Sequence, residues 1–405
     1  MRAAATVGWL RDDAAGYLRA RHVVLANGAM ERPVPFTGWT LPGVMTAGAV
    51  QTLMKAGHLQ PDGRIVLAGT GPLILLLAEQ LRRLGVRPTL VARTDRFNNK
   101  LAAAPHICLP ALPAMLKGLG WIARSRLAGI AMKTGLTGLE ALGRAHVEAA
   151  RVTIDGKTTE VPCDLLIVHD GIVPSIELAQ CAGLDLEWLP SDMSWRPKTS
   201  KDGRAMIAPG PALTSDVCRI HVTGDARRIA GAHAAIAHGR FAAKAVKAEL
   251  RAAGKATGAE NLHPAEAAAR KAAAGRPFLE AAFPPGLSAQ LPSDDAIVCR
   301  CEELTAGTLR VAIRRGATDV NLVRAVARSG MGPCQGRNCS VTLARLLAET
   351  RPGDAQPPVP FRARPPIRPL PLGALATLEG IDPELAQIVS LDDKPKAVLS
   401  GDADG

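Results

Sequence analysis

Aromatic side chains are scarce in this sequence. Phe, Trp and Tyr make up 3% of the 405 residues, and there is a single tyrosine. Hydrophobic cores must therefore be filled by aliphatic groups, which favours helices and parallel strands. The scarcity also argues against RNA-binding modules that stack bases on aromatic rings, and no zinc-finger spacing accompanies the basic residues.

Long apolar runs are missing as well. The longest such stretch, residues 65–78, is well short of the roughly 20 residues that span a bilayer. Residues 1–16 contain no apolar core of signal-peptide length, because Asp12 and Asp13 interrupt them. We therefore expect a cytoplasmic protein without a transmembrane segment.

Positive charge is in excess, with a net charge of +12, but it is not concentrated in blocks. Basic residues occur in separated pairs such as Arg82-Arg83 and Arg314-Arg315. This dispersed pattern is typical of a solvated basic face, and it suits an acidic partner subunit better than nucleic acid.

Four cysteines toward the C-terminal end form two close pairs, Cys299 with Cys301 and Cys334 with Cys339. Thiolates are soft ligands that select zinc or iron–sulfur clusters, and four of them complete either site. Structural zinc sites favour about two to four residues between paired ligands, whereas one residue separates the first pair. The glycine-rich run 329–333 would let backbone N–H groups approach cluster sulfurs. The pattern favours a [2Fe–2S] cluster over zinc, a disulfide pair or chance.

The remaining cysteines are widely spaced and lie in apolar stretches. We predict that they are reduced core residues, and they are Cys108, Cys163, Cys181 and Cys218.

A strand, a glycine turn, a helix and a second strand follow one another in residues 63–92, which predicts one βαβ unit of an open parallel sheet. Glycines at this turn let the backbone approach a pyrophosphate, so Gly69 and Gly71 are predicted to line a site for NAD(P) or another adenine nucleotide. However, Ile74 occupies the position of the third glycine. Arg93 stands where an acidic residue would hold the NAD ribose, and it would either meet a 2′-phosphate or face solvent.

Other segments have simpler patterns. We predict a strand over residues 17–27, helical pieces broken by prolines over 99–144, a hairpin over 147–161 and a buried parallel strand over 163–168.

Gly224 and Asp225 follow a predicted strand over residues 219–223 and precede an alanine-rich helix over 231–253. A carboxylate in this position could accept a hydrogen bond from a cofactor hydroxyl while the helix N-terminus faces phosphate. An ordinary Asp helix cap is the alternative.

Two local patterns resemble a known module. CRCEEL and SGMGPCQGRNC are similar to the [2Fe–2S] domain of bacterioferritin-associated ferredoxin, which is also fused to flavoprotein subunits of amine and opine dehydrogenases. The resemblance covers residues 294–350. It implies a small helical domain whose four cluster ligands are Cys299, Cys301, Cys334 and Cys339.

Longer segments resemble the two-dinucleotide-domain flavoproteins. HVTGDARRIAGAHAAIAHGRFAA is similar to their C-terminal FAD motif, with Asp225 at the flavin ribityl position. VVLANGAMERPVPFTGWTLPGVMTAGAVQ, which contains Gly28, resembles the passage from the FAD domain into the NAD-type domain, and CDLLIVHDGIVPS resembles the exit from that domain. The order of segments is similar to the flavoprotein α-type subunits of hydrogen cyanide synthase, opine oxidase and heteromeric proline or sarcosine dehydrogenases.

This resemblance implies an α/β, two-dinucleotide-binding-domain fold with an added helical [2Fe–2S] domain. The expected parts are a partial FAD-binding domain (1–50 and 181–253), an NAD(P)-type Rossmann-like domain (51–180), a linker (254–293), the cluster domain (294–350) and a proline-rich tail (351–405). The family opens with a βαβ unit for the FAD pyrophosphate, and this sequence begins after the place of that unit. We therefore expect an N-terminally incomplete fold, in which FAD binding is an open question.

Histidines offer no clear substrate base. His221 and His233 are expected to be core or surface residues, His169 could face the second nucleotide site, and nothing pairs it or His238 with a substrate.

The resemblance implies an electron-transferring subunit of an FAD-dependent dehydrogenase or oxidase acting on an amine, imino acid or opine-like C–N bond. Electrons would pass between flavin and the cluster, and then to a partner or a quinone-type acceptor. A separate FAD-containing subunit would oxidise the substrate within a hetero-oligomer, together with a small ferredoxin-like subunit. The alternatives are a non-catalytic scaffold or relay subunit that has lost FAD, and a zinc-stabilised binding module.

Overall fold

A computed structural model of the chain describes residues 5–11, 14–208, 219–253, 261–350 and 359–376. Cys218, predicted to be a core residue, and much of the predicted proline-rich tail lie outside the described residues. None of the helices within these ranges is long and apolar enough to cross a membrane.

The described strands, in chain order, are β1 (Ala5–Arg11), β2 (Ala14–Ala20), β3 (His22–Leu25), β4 (Ala29–Glu31), β5 (Val44–Thr46), β6 (Ile65–Gly69), β7 (Leu90–Arg93), β8 (Ala131–Lys133), β9 (Leu136–Leu142), β10 (Ala149–Ile154), β11 (Lys157–Pro162), β12 (Leu165–His169), β13 (Ile172–Pro174), β14 (Leu186–Leu189), β15 (Ser194–Pro197), β16 (Arg219–Val222), β17 (Ile297–Cys299) and β18 (Leu304–Thr305).

The described helices are α1 (Ala47–Ala56), α2 (Pro72–Arg83), α3 (Phe97–Ala103), α4 (Leu112–Leu127), α5 (Glu177–Cys181), α6 (Ala232–Ala253), α7 (His263–Ala273), α8 (Arg276–Ala282), α9 (Ala306–Arg314), α10 (Val320–Ala327), α11 (Ser340–Thr350) and α12 (Leu372–Ala376). Short 3-10 turns occur at Ala104–His106, Leu109–Ala111 and Gly224–Ala226.

A five-stranded parallel sheet in the order β5-β12-β6-β7-β8 forms the centre of the second domain. Its inner strands are almost entirely apolar up to their last residues, because both faces of the sheet are covered. Val66 and Ala68 lie in a hydrophobic cluster on one face, whereas Ile65 and Leu67 lie in a second cluster that includes helix α2. The βαβ unit predicted for residues 63–92 and the α/β class are confirmed.

A three-stranded antiparallel sheet, β11-β10-β9, shares the first of these clusters. The predicted hairpin is confirmed, since β10 and β11 meet at Asp155-Gly156. Helical pieces broken by prolines were predicted over residues 99–144, which is correct for α3 and α4 but wrong from Ala131, where β8 begins and is followed by β9. Leu136 and Leu139 are buried against the parallel sheet, and this packing outweighs the helix propensity of leucine.

The predicted FAD-type part contains β3 and β16, which pair in parallel, with helix α6 following β16. One strand was predicted over residues 17–27, but the structure has two strands there, separated at Arg21. β2 before this residue pairs antiparallel with β1, and β3 after it pairs with β16. The predicted strand at 219–223 and the helix at 231–253 are confirmed.

The segment predicted to be a linker, residues 254–293, is packed against the rest of the chain where it is described. Helix α7 lies against α6, and α8 lies against α3. The Asp170 carboxylate accepts backbone N–H groups from Gly286 at 3.0 Å, Leu287 at 3.1 Å and Ser288 at 2.7 Å. This carboxylate therefore fixes the path of the chain into the last domain.

The last domain is helical, as predicted, and consists of the hairpin β17–β18 and helices α9, α10 and α11. Its core contains Leu309, Ile313 and Leu343, which are almost fully buried. The Thr305 side chain caps α9 by accepting the backbone N–H of Thr308 at 3.2 Å. The Asp319 side chain caps α10 by accepting the backbone N–H of Asn321 at 2.8 Å.

Residues 359–371 of the tail run against this domain without helix or strand structure. Phe361 is 5% exposed and belongs to the core of the domain. The Arg362 backbone N–H donates to Asn321 at 3.0 Å, and Gln180 donates to the Phe361 carbonyl at 2.8 Å. The tail thus links the last domain to helix α5.

Candidate metal centre and nucleotide sites

The four cysteines predicted to bind a cluster are brought together in the last domain. Cys299 ends β17 and Cys301 lies in the next turn, whereas Cys334 lies in the turn after α10 and Cys339 directly precedes α11. Cys299 and Cys339 are buried, Cys334 is half-buried and Cys301 is exposed. The set therefore reaches from the core of the domain to its surface.

The thiols interact as two pairs, Cys299 with Cys339 and Cys301 with Cys334. A hydrogen bond from Cys339 lowers the pKa of Cys299 to about 6, and the same bond, with burial, raises the pKa of Cys339. The Cys334 backbone N–H favours a thiolate at Cys301, but burial and the neighbouring sulfurs raise the pKa of Cys301 overall. Four thiolates repel one another at this spacing, so a cation is needed to hold all of them deprotonated.

The backbone around the cysteines fits a cluster closely. Gly330 donates its N–H to the sulfur of Cys299 at 3.4 Å. A Cβ at Gly332 would lie 2.2 Å from the Cβ of Cys301, so a side chain is excluded there. A [2Fe–2S] cluster needs four thiol ligands, backbone N–H donors to their sulfurs and close approach of the backbone. The cysteine set and its glycine loop provide all three.

The cysteine domain rests on the flavoprotein-like part of the chain. Trp39 donates its indole N–H to the carbonyl of Ile297 at 2.6 Å, two residues before Cys299. Arg337, between Cys334 and Cys339, forms an ion pair with Glu177 at 3.3 Å. Both halves of the cysteine set are therefore tied to residues of the preceding domains.

The second predicted site lies at the carboxyl edge of the parallel sheet. His169, Gly69 and Arg93 are adjacent there, because they end β12, β6 and β7 in register. Gly69 has a φ of +130°, and a Cβ on it would lie 1.7 Å from the His169 carbonyl, so only glycine fits. Gly71 precedes α2, whose first residue, Pro72, lacks an N–H and so reduces the donors available to an anion.

Buried polar atoms at this edge have no partner among the described residues. They are the Thr70 hydroxyl, two guanidinium nitrogens of Arg93 (Nε and Nη1) and one carboxylate oxygen of Asp95 (Oδ1). Arg93 is 4% exposed, so the solvent-facing alternative for this residue is wrong. Its contact with Asp95, 3.5 Å from Nε, is too long for a good hydrogen bond. Unsatisfied donors beside a glycine turn suit an anionic ligand.

The pairing of His169 with Glu31 could not be predicted from the sequence. Nδ1 of His169 lies 2.5 Å from Oε1 of Glu31, and Oε2 of Glu31 accepts the N–H of Gly48 at 2.7 Å. The histidine thus lies beside the glycine turn that follows β6, and a carboxylate distant in sequence orients it. No local motif signals such a pair.

The predicted flavin residues lie at the carboxyl ends of β3 and β16. Gly28 follows β3, while Gly224 and Asp225 follow β16. Oδ1 of Asp225 accepts the backbone N–H groups of Ala230 at 2.9 Å and Gly231 at 3.1 Å. No bond from a described residue reaches its Oδ2. Asp225 therefore braces the turn before α6 through one of its two carboxylate oxygens.

The other histidines are held in structural contacts or lie at the surface. His238 bonds to Thr223 at 2.9 Å and to the Lys201 carbonyl at 3.2 Å, His221 is fully buried, and His233 is exposed. His221 is therefore a core residue and His233 a surface residue, as predicted.

Two family matches cover most of the chain. Residues 4–239 match the pyridine nucleotide-disulphide oxidoreductase family, and residues 297–349 match the BFD-like [2Fe-2S] binding domain. The second match contains all four clustered cysteines.

Relatives of the whole chain are subunits of oxidising enzymes. An opine oxidase subunit of Agrobacterium tumefaciens is 38% identical over 88% of this chain and 69% of its own length. Hydrogen cyanide synthase subunit HcnB of Pseudomonas aeruginosa is 32% identical over 88% of this chain and 76% of its own. Among solved structures, L-proline dehydrogenase from P. horikoshii is similar, with a TM-score of 0.61 and 20% sequence identity. The match covers 91% of this chain and 61% of that chain, so the two share the fold.

These matches support a bound FAD, and the alternative that FAD binding has been lost has no support among them. The chain belongs to the pyridine nucleotide-disulphide oxidoreductase family, as an FAD-dependent oxidoreductase that carries a BFD-like [2Fe-2S] domain.

Proposed function

We propose that this protein is the electron-transferring subunit of an FAD-dependent dehydrogenase or oxidase that acts on an amine, imino acid or opine-like C–N bond. The observation that carries the proposal is the set of four cysteines, packed directly on a flavoprotein-like body. Bound FAD supplies two-electron chemistry that can also proceed in single electrons, and a [2Fe–2S] cluster stores one electron at a time.

Cys299, Cys301, Cys334 and Cys339 are the proposed cluster ligands. Gly330 directs its N–H at Cys299, and such hydrogen bonds stabilise the charge on a ligand sulfur and tune the potential of the site. Cys301 is exposed, so the surface around it offers a short route for electrons to a partner.

Gly28, Gly224 and Asp225 are the proposed FAD contacts of this chain. The free oxygen of Asp225 would accept a ribityl hydroxyl, and the bonds from Ala230 and Gly231 hold that carboxylate in place.

Gly69, Gly71, Thr70 and Arg93 are the proposed contacts of a second adenine nucleotide, NAD(P) or a related compound. The buried guanidinium of Arg93 would bind phosphate, which would supply the partner that its nitrogens lack.

A separate FAD-containing subunit is the proposed site of substrate oxidation. Near the candidate flavin turn, the His238 ring is committed to contacts with Thr223 and the Lys201 carbonyl. Relatives named as subunits of opine oxidase, hydrogen cyanide synthase and sarcosine oxidase support a hetero-oligomer. A small ferredoxin-like subunit is a further proposed component.

The test uses the complex purified with its natural partners. Anaerobic addition of candidate opines, imino acids or secondary amines should bleach the flavin absorbance and produce the electron paramagnetic resonance signal of a reduced cluster. FAD released by denaturation should be identified by chromatography. A complex in which substrate bleaches flavin while the cluster stays oxidised would contradict the proposed relay.

A further inference from the structure

A cluster of ligand-type side chains lies far in sequence from the cysteines. Adjacent strands β3 and β16 carry His22 and His221, and helix α6 brings Glu249 over them near its C-terminal end. Asp202, from the turn after β15, completes the group. Oxygen or nitrogen atoms of Asp202, His221 and Glu249 all lie within 4.8 Å of one another.

The imidazoles in this cluster lack the partners that buried rings normally have. His221 is 0% exposed, and neither of its ring nitrogens has a hydrogen-bond partner among the described residues. Nδ1 of His22 is also buried and lacks such a partner within the same ranges, and the two rings stack with their centroids 6.0 Å apart. Buried polar groups are almost always bonded, so these nitrogens indicate a ligand.

The distances suit a shared ion better than direct hydrogen bonds. Nε2 of His221 is 3.9 Å from Oε1 of Glu249, and Nδ1 of His22 is 3.8 Å from Oε2. Both are too long for hydrogen bonds. Ligand atoms bound to one zinc ion at about 2.0–2.1 Å lie about 3.3 Å apart in a tetrahedron, so shifts of about 1 Å would close the group around an ion.

We propose that His221, Glu249 and Asp202, with His22 as a fourth ligand, form a structural site for a divalent transition-metal ion such as Zn²⁺. Imidazole and carboxylate ligands together select such ions, whereas calcium and magnesium sites use oxygen alone.

Neighbouring groups hold these ligands in orientation. Arg219 donates to Oε2 of Glu249 at 2.6 Å and leaves Oε1 facing His221. Asp202 is held by the Ser200 hydroxyl, and the Arg204 backbone N–H lies 3.4 Å from the same carboxylate oxygen. Supporting contacts of this kind are typical of metal sites.

The position in the fold defines the role of the ion. His221 lies in β16, which leads directly to Gly224 and Asp225, and Glu249 lies on the helix that follows them. An ion here would tie the start of β3 and the last residues of β16 to α6. The proposed role of the ion is therefore to stabilise this subdomain.

Zinc titration of the holoprotein tests the proposal. The cluster-loaded protein is freed of loosely bound metal and titrated with Zn²⁺, with calorimetry and melting temperature as readouts. The wild type should bind one tight equivalent that raises the melting temperature. His221→Gln and, as a near-isosteric second variant, Glu249→Gln should lose this equivalent or bind it at least about tenfold more weakly. His233→Gln, an exposed position on the same helix, should behave as wild type.

X-ray absorption of the bound zinc separates this site from the cysteines. Nitrogen and oxygen ligands without sulfur are expected. Sulfur ligands, or zinc uptake and thermal stabilisation that are the same in wild type and Glu249→Gln, would overturn the proposal.

Discussion

Gly330 donates its backbone N–H to the sulfur of Cys299 across 3.4 Å, although 31 residues separate them in the chain. This contact joins the two halves of the cysteine set. It exists because the loop between α10 and α11 approaches the β17 turn without intervening side chains. The environment of the candidate cluster therefore depends on glycines as well as on cysteines.

Gly332→Ala should prevent cluster assembly. The added Cβ would lie 2.2 Å from the Cβ of Cys301, and this clash can be relieved only by moving one half of the cysteine set. Iron content per chain is the measurement. Gly118→Ala is the matched control, because nothing lies within 4 Å of a Cβ at that helical position. Wild-type iron content in Gly332→Ala would contradict the close approach of the Gly332 backbone to Cys301.

Phe361→Ala should destabilise the cluster domain by about 3–5 kcal/mol, as is usual for truncating a buried Phe. The ring packs so tightly on the cysteine loop that a Cβ at Gly336 would lie 2.5 Å from it. Thermal unfolding of the domain, followed through loss of cluster absorbance, is the measurement. Val359→Ala, at a 59% exposed position of the same segment, should change little. If Phe361→Ala changed the stability of the domain as little as Val359→Ala is expected to, the tail would not support the domain.

Arg93→Ala should weaken binding of an adenine nucleotide by about tenfold or more, because a buried charge-assisted contact with phosphate is lost. Calorimetric titration with NADH and NADPH measures the effect, and a larger loss for NADPH would locate Arg93 at the 2′-phosphate. Arg87→Ala, an exposed arginine preceding the same strand, is the control. Unchanged affinity for both nucleotides in Arg93→Ala would remove this residue from the site.

Glu79 should make the folded state sensitive to acid. Its side chain is 1% exposed and bonded to Arg82, Arg83 and Arg124. These bonds, that from Arg82 above all, lower the pKa of Glu79 from 4.5 to about 2. A lowered pKa contributes stability that is present above 4.5 and is lost as pH falls toward 2.

Glu79→Gln should therefore flatten the fall in stability over this pH range, and it should reduce stability at neutral pH. The urea midpoint at a series of pH values measures both effects. Glu148→Gln, at an exposed position, should keep the wild-type profile. A variant at position 79 with the same acid profile as wild type would show that the arginine contacts do not persist in solution.

Local pattern was sufficient to predict much of this fold. Apolar runs and the glycine turn between them predicted β6, α2 and β7. Alternation around Asp155-Gly156 predicted the hairpin of β10 and β11, because these signals lie within a few residues. β9 was missed because its residues, LTGLEAL, are good helix formers in isolation and become a strand only by packing on the sheet. The division of the predicted strand at Arg21 was missed because β2 pairs with β1 and β3 pairs with β16, and pairing between strands cannot be read from a local pattern.

The candidate cluster site could be predicted in part, because the cysteine motifs are also local patterns. Cysteine spacing predicted which four cysteines come together, but not that Cys299 meets Cys339 and Cys301 meets Cys334. The contacts that position these thiols involve residues distant in sequence. His169 meets Glu31 from 138 residues away, and Asp170 holds the segment around Ser288 from 118 residues away. Pairings at such separation leave no period or spacing in a single sequence.

The most direct test of the account is the visible spectrum and iron content of Cys334→Ser beside those of Cys108→Ser. Cys108 is half-buried and bonds only to the Ala274 carbonyl among the described contacts, a bond that serine can replace. We expect about two iron atoms per chain and the cluster spectrum in wild type and Cys108→Ser, and loss of both in Cys334→Ser. A wild-type spectrum and iron content in Cys334→Ser would contradict the four-cysteine cluster and the electron relay that depends on it.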